Sequence, residues 1–249
     1  MRRIAITGLL TGAVLATAGA ASALAAPPEF GRCIKVAKGT GVYANANCTS
    51  AGGEQKFEWI PGPGPNPKFT ITVSNEIKPF FIEDADGSGK LSCREGSATG
   101  EITGPDTIGS LKEFTWKGCE AAGIGPDNGL IFAEVGSGAL GVWKAGETPL
   151  KNKVGLEFSP LIYDTTIGGG AITLHGEGQI IGQIMANNSM TLNKTLLLVE
   201  RKGKQIPDRF EGEPAVSLIQ SFSGSSQPAV IAWKSTITFA EKIEINSVV

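Results

Sequence analysis

Long stretches of this chain alternate apolar and polar residues with a period of two, and that alternation constrains the fold more than any other feature. Phe69, Ile71 and Val73 fall on one side, with Thr70, Thr72 and Ser74 on the other. Val154, Leu156 and Phe158 repeat the pattern. So do Ile172, Leu174, Ile180 and Ile184, with Gly176, Gly178 and Gly182 on the same side. Near the C-terminus Ile231, Trp233, Ile237, Phe239, Ile243 and Ile245 share one face, against Lys234, Thr236, Thr238, Lys242 and Glu244. Successive side chains of a strand point to opposite faces, so each run reads as a strand with one face on a core. Leu196-Leu197-Leu198-Val199 is unbroken and reads as a more buried strand. Glycine clusters punctuate the runs at short spacing: Gly87-Ser88-Gly89, Gly123-Ile124-Gly125-Pro126, Gly136-Ser137-Gly138 and Gly168-Gly169-Gly170. The expectation is an all-β fold, an antiparallel sandwich or barrel of about a dozen strands. Residues 214–222 alone fit a helix as well as a strand. The apolar face that closes the chain predicts a last strand inside the sheet.

The first residues do not share this pattern. MRRIAITGLLTGAVLATAGAASALA has a charged start at Arg2 and Arg3, an apolar stretch from Ile4 to about Ala20, and a small-residue cleavage site at Ala23-Leu24-Ala25. That is the order of a secretory signal. Residues 1–25 are expected to be removed, with Ala26 as the new N-terminus and the protein secreted and extracellular. With Arg2 and Arg3 taken from the 22 basic residues and all 24 acidic ones retained, the mature net charge is −4. Such a surface lacks the basic field that nucleic-acid binding requires. No mature apolar run approaches the ~20 residues of a membrane-spanning helix.

Four cysteines remain, Cys33, Cys48, Cys93 and Cys119. In an oxidising compartment they read as two disulfides, for which three connectivities exist. The sequential pairing, Cys33–Cys48 and Cys93–Cys119, is preferred because each bond closes a local loop. A zinc site is the rival, weakened by the absence of any C-x-x-C spacing and by a single histidine, His175. The expected organisation is a disulfide-stapled N-terminal β element over 26–60, a Pro/Gly connector over 61–67, and a main antiparallel β domain over 68–249. The prolines at 61, 63, 65 and 67 make the connector extended and stiff. It either separates the stapled element from the body or forms a packed surface loop within one domain.

The blocks EFGRCIKVAKGTGVY, NCT, FEWIPGPGPNPKFT, SCREGSATGEITG, FTWKGCE, KGKQIPDRFEG and EINSVV, in this order, resemble a family of secreted β-rich proteins from soil actinobacteria. The resemblance covers nearly the whole mature chain. It implies export and a β-rich body, and carries no activity, cofactor or catalytic residue. Members of that family often have one more cysteine shortly after the position of Cys119 and another where Ile167-Gly168 stand here. Their joint absence matches the loss of one disulfide and leaves the proposed pairing intact.

The sharpest motif is Asp84-Ala85-Asp86-Gly87-Ser88-Gly89-Lys90-Leu91-Ser92-Cys93-Arg94-Glu95. Its spacing fits a calcium loop, in which Asp84, Asp86, Ser88, the Lys90 carbonyl and Glu95 supply oxygens. The flanks, however, read as strands rather than the helices of an EF-hand, and a hairpin turn is the expectation. His175 falls on the polar face of its strand with Thr173, Glu177 and Gln179, and an acid–base pair with Glu177 is open to it. A serine–histidine–acid triad has to use His175, but no G-x-S-x-G elbow accompanies it. Two acidic clusters, Glu83/Asp84/Asp86 and Asp208/Glu211/Glu213, are the remaining catalytic route, by the paired carboxylates of glycosidases. Trp116 and Trp233 are expected in the core, and Trp59 and Trp143 are the better surface candidates for stacking on sugars. The sequons at Asn47, Asn187 and Asn193 carry no weight in a bacterial chain.

No catalytic, cofactor or metal residues are assigned from the sequence. The expected function is a secreted non-catalytic protein that binds an extracellular ligand or surface. The alternative is a secreted carbohydrate-active hydrolase using acidic residues.

Overall fold

A computed structural model describes residues 27–74 and 80–247. The signal segment lies outside the described residues. Fifteen strands run in chain order: β1 (Glu29–Lys35), β2 (Phe57–Pro61), β3 (Lys68–Ser74), β4 (Phe80–Asp84), β5 (Lys90–Cys93), β6 (Glu95–Glu101), β7 (Thr107–Ile108), β8 (Leu111–Lys117), β9 (Leu130–Lys144), β10 (Lys153–Ile167), β11 (Ile172–Met185), β12 (Thr191–Glu200), β13 (Gln205–Ile206), β14 (Leu218–Phe222) and β15 (Ser225–Asn246). A single turn of 3-10 helix, Pro149–Lys151, is the only helical element among the described residues. Residues 214–222, ambiguous in sequence, resolve into loop and then β14.

The strands close into a barrel of eight staves. β3 pairs with β6, β6 with β8, and β8 with β9. From β9 the wall continues through β10 and β11 to β12. β15 then joins β12 back to β3. All these pairs are antiparallel, and closure leaves the staves without the free edges that invite aggregation.

β15 is the spine of this wall, 22 residues long, and both of its neighbours are interrupted. On one side β15 steps from Ser235 to Ala232 while its partner goes from Val73 of β3 to Phe81 of β4. On the other, it steps from Trp233 to Ala229 while its partner goes from Leu198 of β12 to Leu218 of β14. β14 also takes over the pairing with β11, at Gly178↔Leu218. β12 and β14 are thus two halves of one stave, and residues 199–217 leave the wall between them as a strap.

A gap in a ladder leaves backbone donors and acceptors that must be answered. The Gln205 side chain answers two of them. Its Oε1 accepts from the Ile231 N–H at 2.9 Å, and its Nε2 donates to the Val199 carbonyl at 3.2 Å. A side-chain amide thereby stands in for a missing peptide of the stave. The Gln183 amide donates to the Ile206 carbonyl, and the Gln179 N–H to the Ser217 carbonyl.

The apolar stripes read from the sequence point inward. Phe69, Ile71, Val73, Val154, Leu156, Phe158, Leu174, Ile180, Ile184, Ile231, Trp233, Ile237, Phe239, Ile243 and Ile245 are all buried. Phe80 and Phe114 each stand edge-on to both Trp116 and Trp233, with ring centroids 5.0 to 5.7 Å apart. Tyr163 packs on Trp116 at 5.1 Å. Room for that ring comes from Gly176 on the next strand, where an added Cβ would fall 2.0 Å from the Tyr163 ring. Five interlocked rings thus pack across this part of the barrel interior.

The N-terminal element extends the sheet. β1 pairs with the end of β15, Phe30 opposite Ile245, and β2 pairs with β1. Phe30 reaches the common core, edge-on to Phe239. Cys33 is bonded to Cys48, and Cys93 to Cys119. The proline-rich stretch is a packed surface loop. The Arg32 guanidinium donates to the Gly62 and Pro63 carbonyls, the Gly62 N–H to the Phe30 carbonyl, and the Ile102 N–H to the Pro67 carbonyl.

Candidate functional site

Polar chemistry collects at three places on this frame. The first is the turn between β4 and β5, where the calcium-like motif sits. Asp84 ends β4 and faces inward, 4 % exposed. Its Oδ1 accepts from the Gln220 amide at 3.1 Å and its Oδ2 from the Ser88 hydroxyl at 3.1 Å. Gln220, fully buried, accepts in turn from the Tyr163 hydroxyl at 2.8 Å. Burial, with Asp84 adding to it, pushes the Tyr163 phenol well above its ordinary range. Asp86 closes the turn by accepting from the Ser88 N–H at 2.9 Å, while Gly87 takes a positive φ of 78°. Residues 85–89 are a hairpin turn between strands, and Glu95 stands on β6. Among the described residues no three His, Cys, Asp or Glu side chains are grouped to hold a metal ion. Every polar side chain in the chain Tyr163–Gln220–Asp84–Ser88 has a partner within it, as in a structural plug.

The second place is His175, on the outer wall. In the ladder it lies between Asp164 of β10 and Ser221 of β14. Its Nδ1 is 2.7 Å from Asp164 Oδ1, and its Nε2 is 3.9 Å from Glu177 Oε2. The imidazole therefore spans two carboxylates and turns neither nitrogen to a serine. All three groups are exposed, at 47 %, 71 % and 63 %, so solvent screens the pairs and little stability rests on them. Sequence reasoning placed Glu177 beside His175 and missed Asp164, a neighbour only through the strand register.

The third place is the strap, residues 199–217, which lies across the outer faces of β11, β10 and β9. Phe210 anchors it over Gly141 and Gly155, where an added Cβ would fall 2.4 and 3.2 Å from its ring. The Glu211 N–H donates to the Val142 carbonyl, and the Glu211 carboxylate accepts from the Ala145 N–H at 3.1 Å. Between strap and wall runs a groove of about 490 Å³, lined by Trp143, Arg201, Lys202, Lys204, Gln205, Ile206, Pro207, Asp208 and Arg209. That volume is in the ordinary range of a ligand cleft. Trp143 comes to it through a bulge: Lys153 pairs with Lys144 but Val154 pairs with Val142, leaving Trp143 as the extra residue. Arg209 is bound to the neighbouring Asp208. Arg201, Lys202 and Lys204 are exposed, and none has an ion-pair partner among the described residues.

The acidic clusters divide between these places. Glu83 binds Lys90, and Asp84 and Asp86 belong to the turn. Beneath the strap, burial pushes the Glu157 carboxyl above its usual range, and the nearby Glu213 adds to that. This influence of a strap residue on a wall residue spans a sequence gap that hid it. Of the tryptophans, Trp116 and Trp233 are core, at 0 % and 4 % exposed. Trp59 is half-buried and lies flat over Gly31, where an added Cβ would fall 2.0 Å from its ring. Trp143 lines the strap groove beside unpaired charges.

One buried charge lies apart from all three. Lys194, 2 % exposed, donates to the carbonyls of Ala186 and Ser189 and to the Ser189 hydroxyl, holding the turn between β11 and β12. Burial pulls its pKa down to about 8, opposed by Glu244.

Compared with known protein families, curated proteins and solved structures, the chain finds no match.

Proposed function

We propose that this chain is a secreted, non-catalytic binding protein that engages an extracellular ligand or surface through the outer wall of its barrel. The observation that carries the reading is the strap groove: a half-buried Trp143 beside Arg201, Lys202 and Lys204, whose charges no carboxylate of the described chain answers. An eight-stranded barrel either fills with side chains or holds one small ligand inside. Here five aromatic rings pack together in the interior, which supports recognition from outside. Two disulfides suit an oxidising compartment, and no helix among the described residues is long and apolar enough to cross a membrane. On this reading the secreted protein begins at Ala26, which N-terminal sequencing of culture medium checks.

A second reading, a carbohydrate-active hydrolase, is favoured by Glu157, whose carboxyl burial pushes above its usual range with the charge of Glu213 adding to it, as a glycosidase acid requires. A glycan-array screen run beside a glycosidase assay separates the two. Binding without turnover supports the first reading. Turnover abolished by Glu157→Gln or Glu213→Gln establishes the second and removes the first.

A further inference from the structure

We propose that the strap groove is a site for acidic polysaccharide, in which Trp143 stacks on a sugar ring and Arg201, Lys202 and Lys204 take the carboxylates of a uronate chain. The proposal rests on the binding-protein reading above and names the class of ligand. Its first support is how charge is sorted within the strap. Residues 199–213 hold equal numbers of acids and bases, four of each, yet they are partnered differently. Two of the acids are engaged by backbone: Glu200 accepts from the Gly203 N–H at 2.7 Å and Glu211 from the Ala145 N–H at 3.1 Å. Asp208 lines the groove but is bound to Arg209. The groove cations left without an ion-pair partner among the described residues are Arg201, Lys202 and Lys204.

The wall beside Trp143 gives a second and independent sign. Lys144 and Lys153 are exposed and stand directly opposite each other in the β9–β10 ladder. Like charges so placed repel, and an anion lying over them would relieve that repulsion. Neither lysine has an ion-pair partner among the described residues. Unanswered cations therefore occupy both sides of Trp143, on the strap and at the next position of the wall. A ligand that meets them all carries several negative charges along its length.

Trp143 separates a sugar chain from other polyanions. The face of an indole is electron-rich and attracts the weakly positive C–H groups of a pyranose ring. One aromatic suffices for one ring. Single-stranded nucleic acid is held instead by several stacking platforms in a long basic track. This chain has a net charge of −2 and lacks such a field.

The test uses the purified secreted protein and immobilised polygalacturonate, with the fully methyl-esterified polymer and dextran as uncharged counterparts. Esterification removes the carboxylates and leaves the sugar chain. The expected result is binding to polygalacturonate alone, weakened about tenfold or more between about 50 and 500 mM NaCl. The triple variant Arg201→Ala/Lys202→Ala/Lys204→Ala is expected to lose about tenfold or more in affinity, and Trp143→Ala about fivefold or more. Circular dichroism checks each fold. If Trp143→Ala does not fold, Trp143→Phe, which keeps a ring, serves in its place with a smaller loss. Equal binding to the acidic and esterified polymers overturns the acidic class while leaving the binding-protein reading standing. Equal binding to a single-stranded oligonucleotide, lost in the same variants, overturns the polysaccharide assignment. Binding to none of these polymers overturns the inference. Hydrolysis of any of them overturns the reading on which it rests.

Discussion

The turn at Asp84 and the strap at Arg201 both interrupt the barrel with polar residues, and they treat those residues in opposite ways. At the turn, the Asp84 carboxyl accepts from two donors, Gln220 both donates and accepts, and the Tyr163 hydroxyl donates into the barrel. At the strap, Glu200 and Glu211 accept from backbone N–H groups while three cations are left exposed without carboxylate partners. A buried polar group must be answered within the protein, because an unanswered one costs about 1–3 kcal/mol. An exposed charge is answered by water and remains available to a partner. The difference separates polar groups that hold the barrel together from those that can serve a ligand.

The largest effect expected is on the spine that both regions share. β15 pairs with β1, β3, β4, β12 and β14 and sends Ile231, Trp233, Ile237, Phe239, Ile243 and Ile245 into the core. Burying each is worth about 2 kcal/mol gross. Deleting residues 229–249 should therefore abolish folding, which loss of the β signal in circular dichroism would report. A truncated chain with an unchanged melting temperature would mean that the barrel does not depend on its spine.

Gln205 lies between the two regimes, since it belongs to the strap yet mends the ladder. Gln205→Leu leaves the Ile231 N–H and the Val199 carbonyl without these partners, and should cost about 1–3 kcal/mol in urea unfolding. A neutral result would place Gln205 with the exposed cations instead.

Lys194 gives a cation that is buried, against those that are exposed. Its pKa is about 8 in the folded protein and 10.5 in the reference state, so above pH 8 the native form releases a proton that the unfolded chain still holds. Stability should rise with pH between about 8 and 10 by on the order of 1–2 kcal/mol from this residue. Above about pH 10 the gain is offset as the Tyr163 phenol, whose folded pKa is raised, ionises only in the unfolded chain. The rise should vanish in Lys194→Met; its persistence there would assign it to another group.

Period-two faces such as Phe69–Val73 and Ile231–Ile245 made the strands legible in sequence, because alternation is a local property of the chain. Closure into a barrel was not legible, since it depends on which strands find each other. The split stave shows the limit most clearly. Leu196–Val199 and residues 214–222 read as a buried strand and an ambiguous segment, and only shared pairing with β15 makes them one unit. The sites were hidden for the same reason. Asp84 meets Gln220 across 136 residues of sequence, and Ala145 meets Glu211 across 66. Trp143 stood out as a surface candidate, but the cations beside it come from a strap whose path over the wall no periodicity encodes.

Urea unfolding of two variants side by side tests the contrast between these regions most directly. Asp84→Ala removes an acceptor from the buried chain and should cost about 2–3 kcal/mol. The triple variant Arg201→Ala/Lys202→Ala/Lys204→Ala removes only exposed, unpaired charges and should change stability by less than about 0.5 kcal/mol. That large difference is expected at an unchanged denaturant slope. A strap variant that loses as much as Asp84→Ala would contradict it, because those cations would then be part of what holds the barrel together.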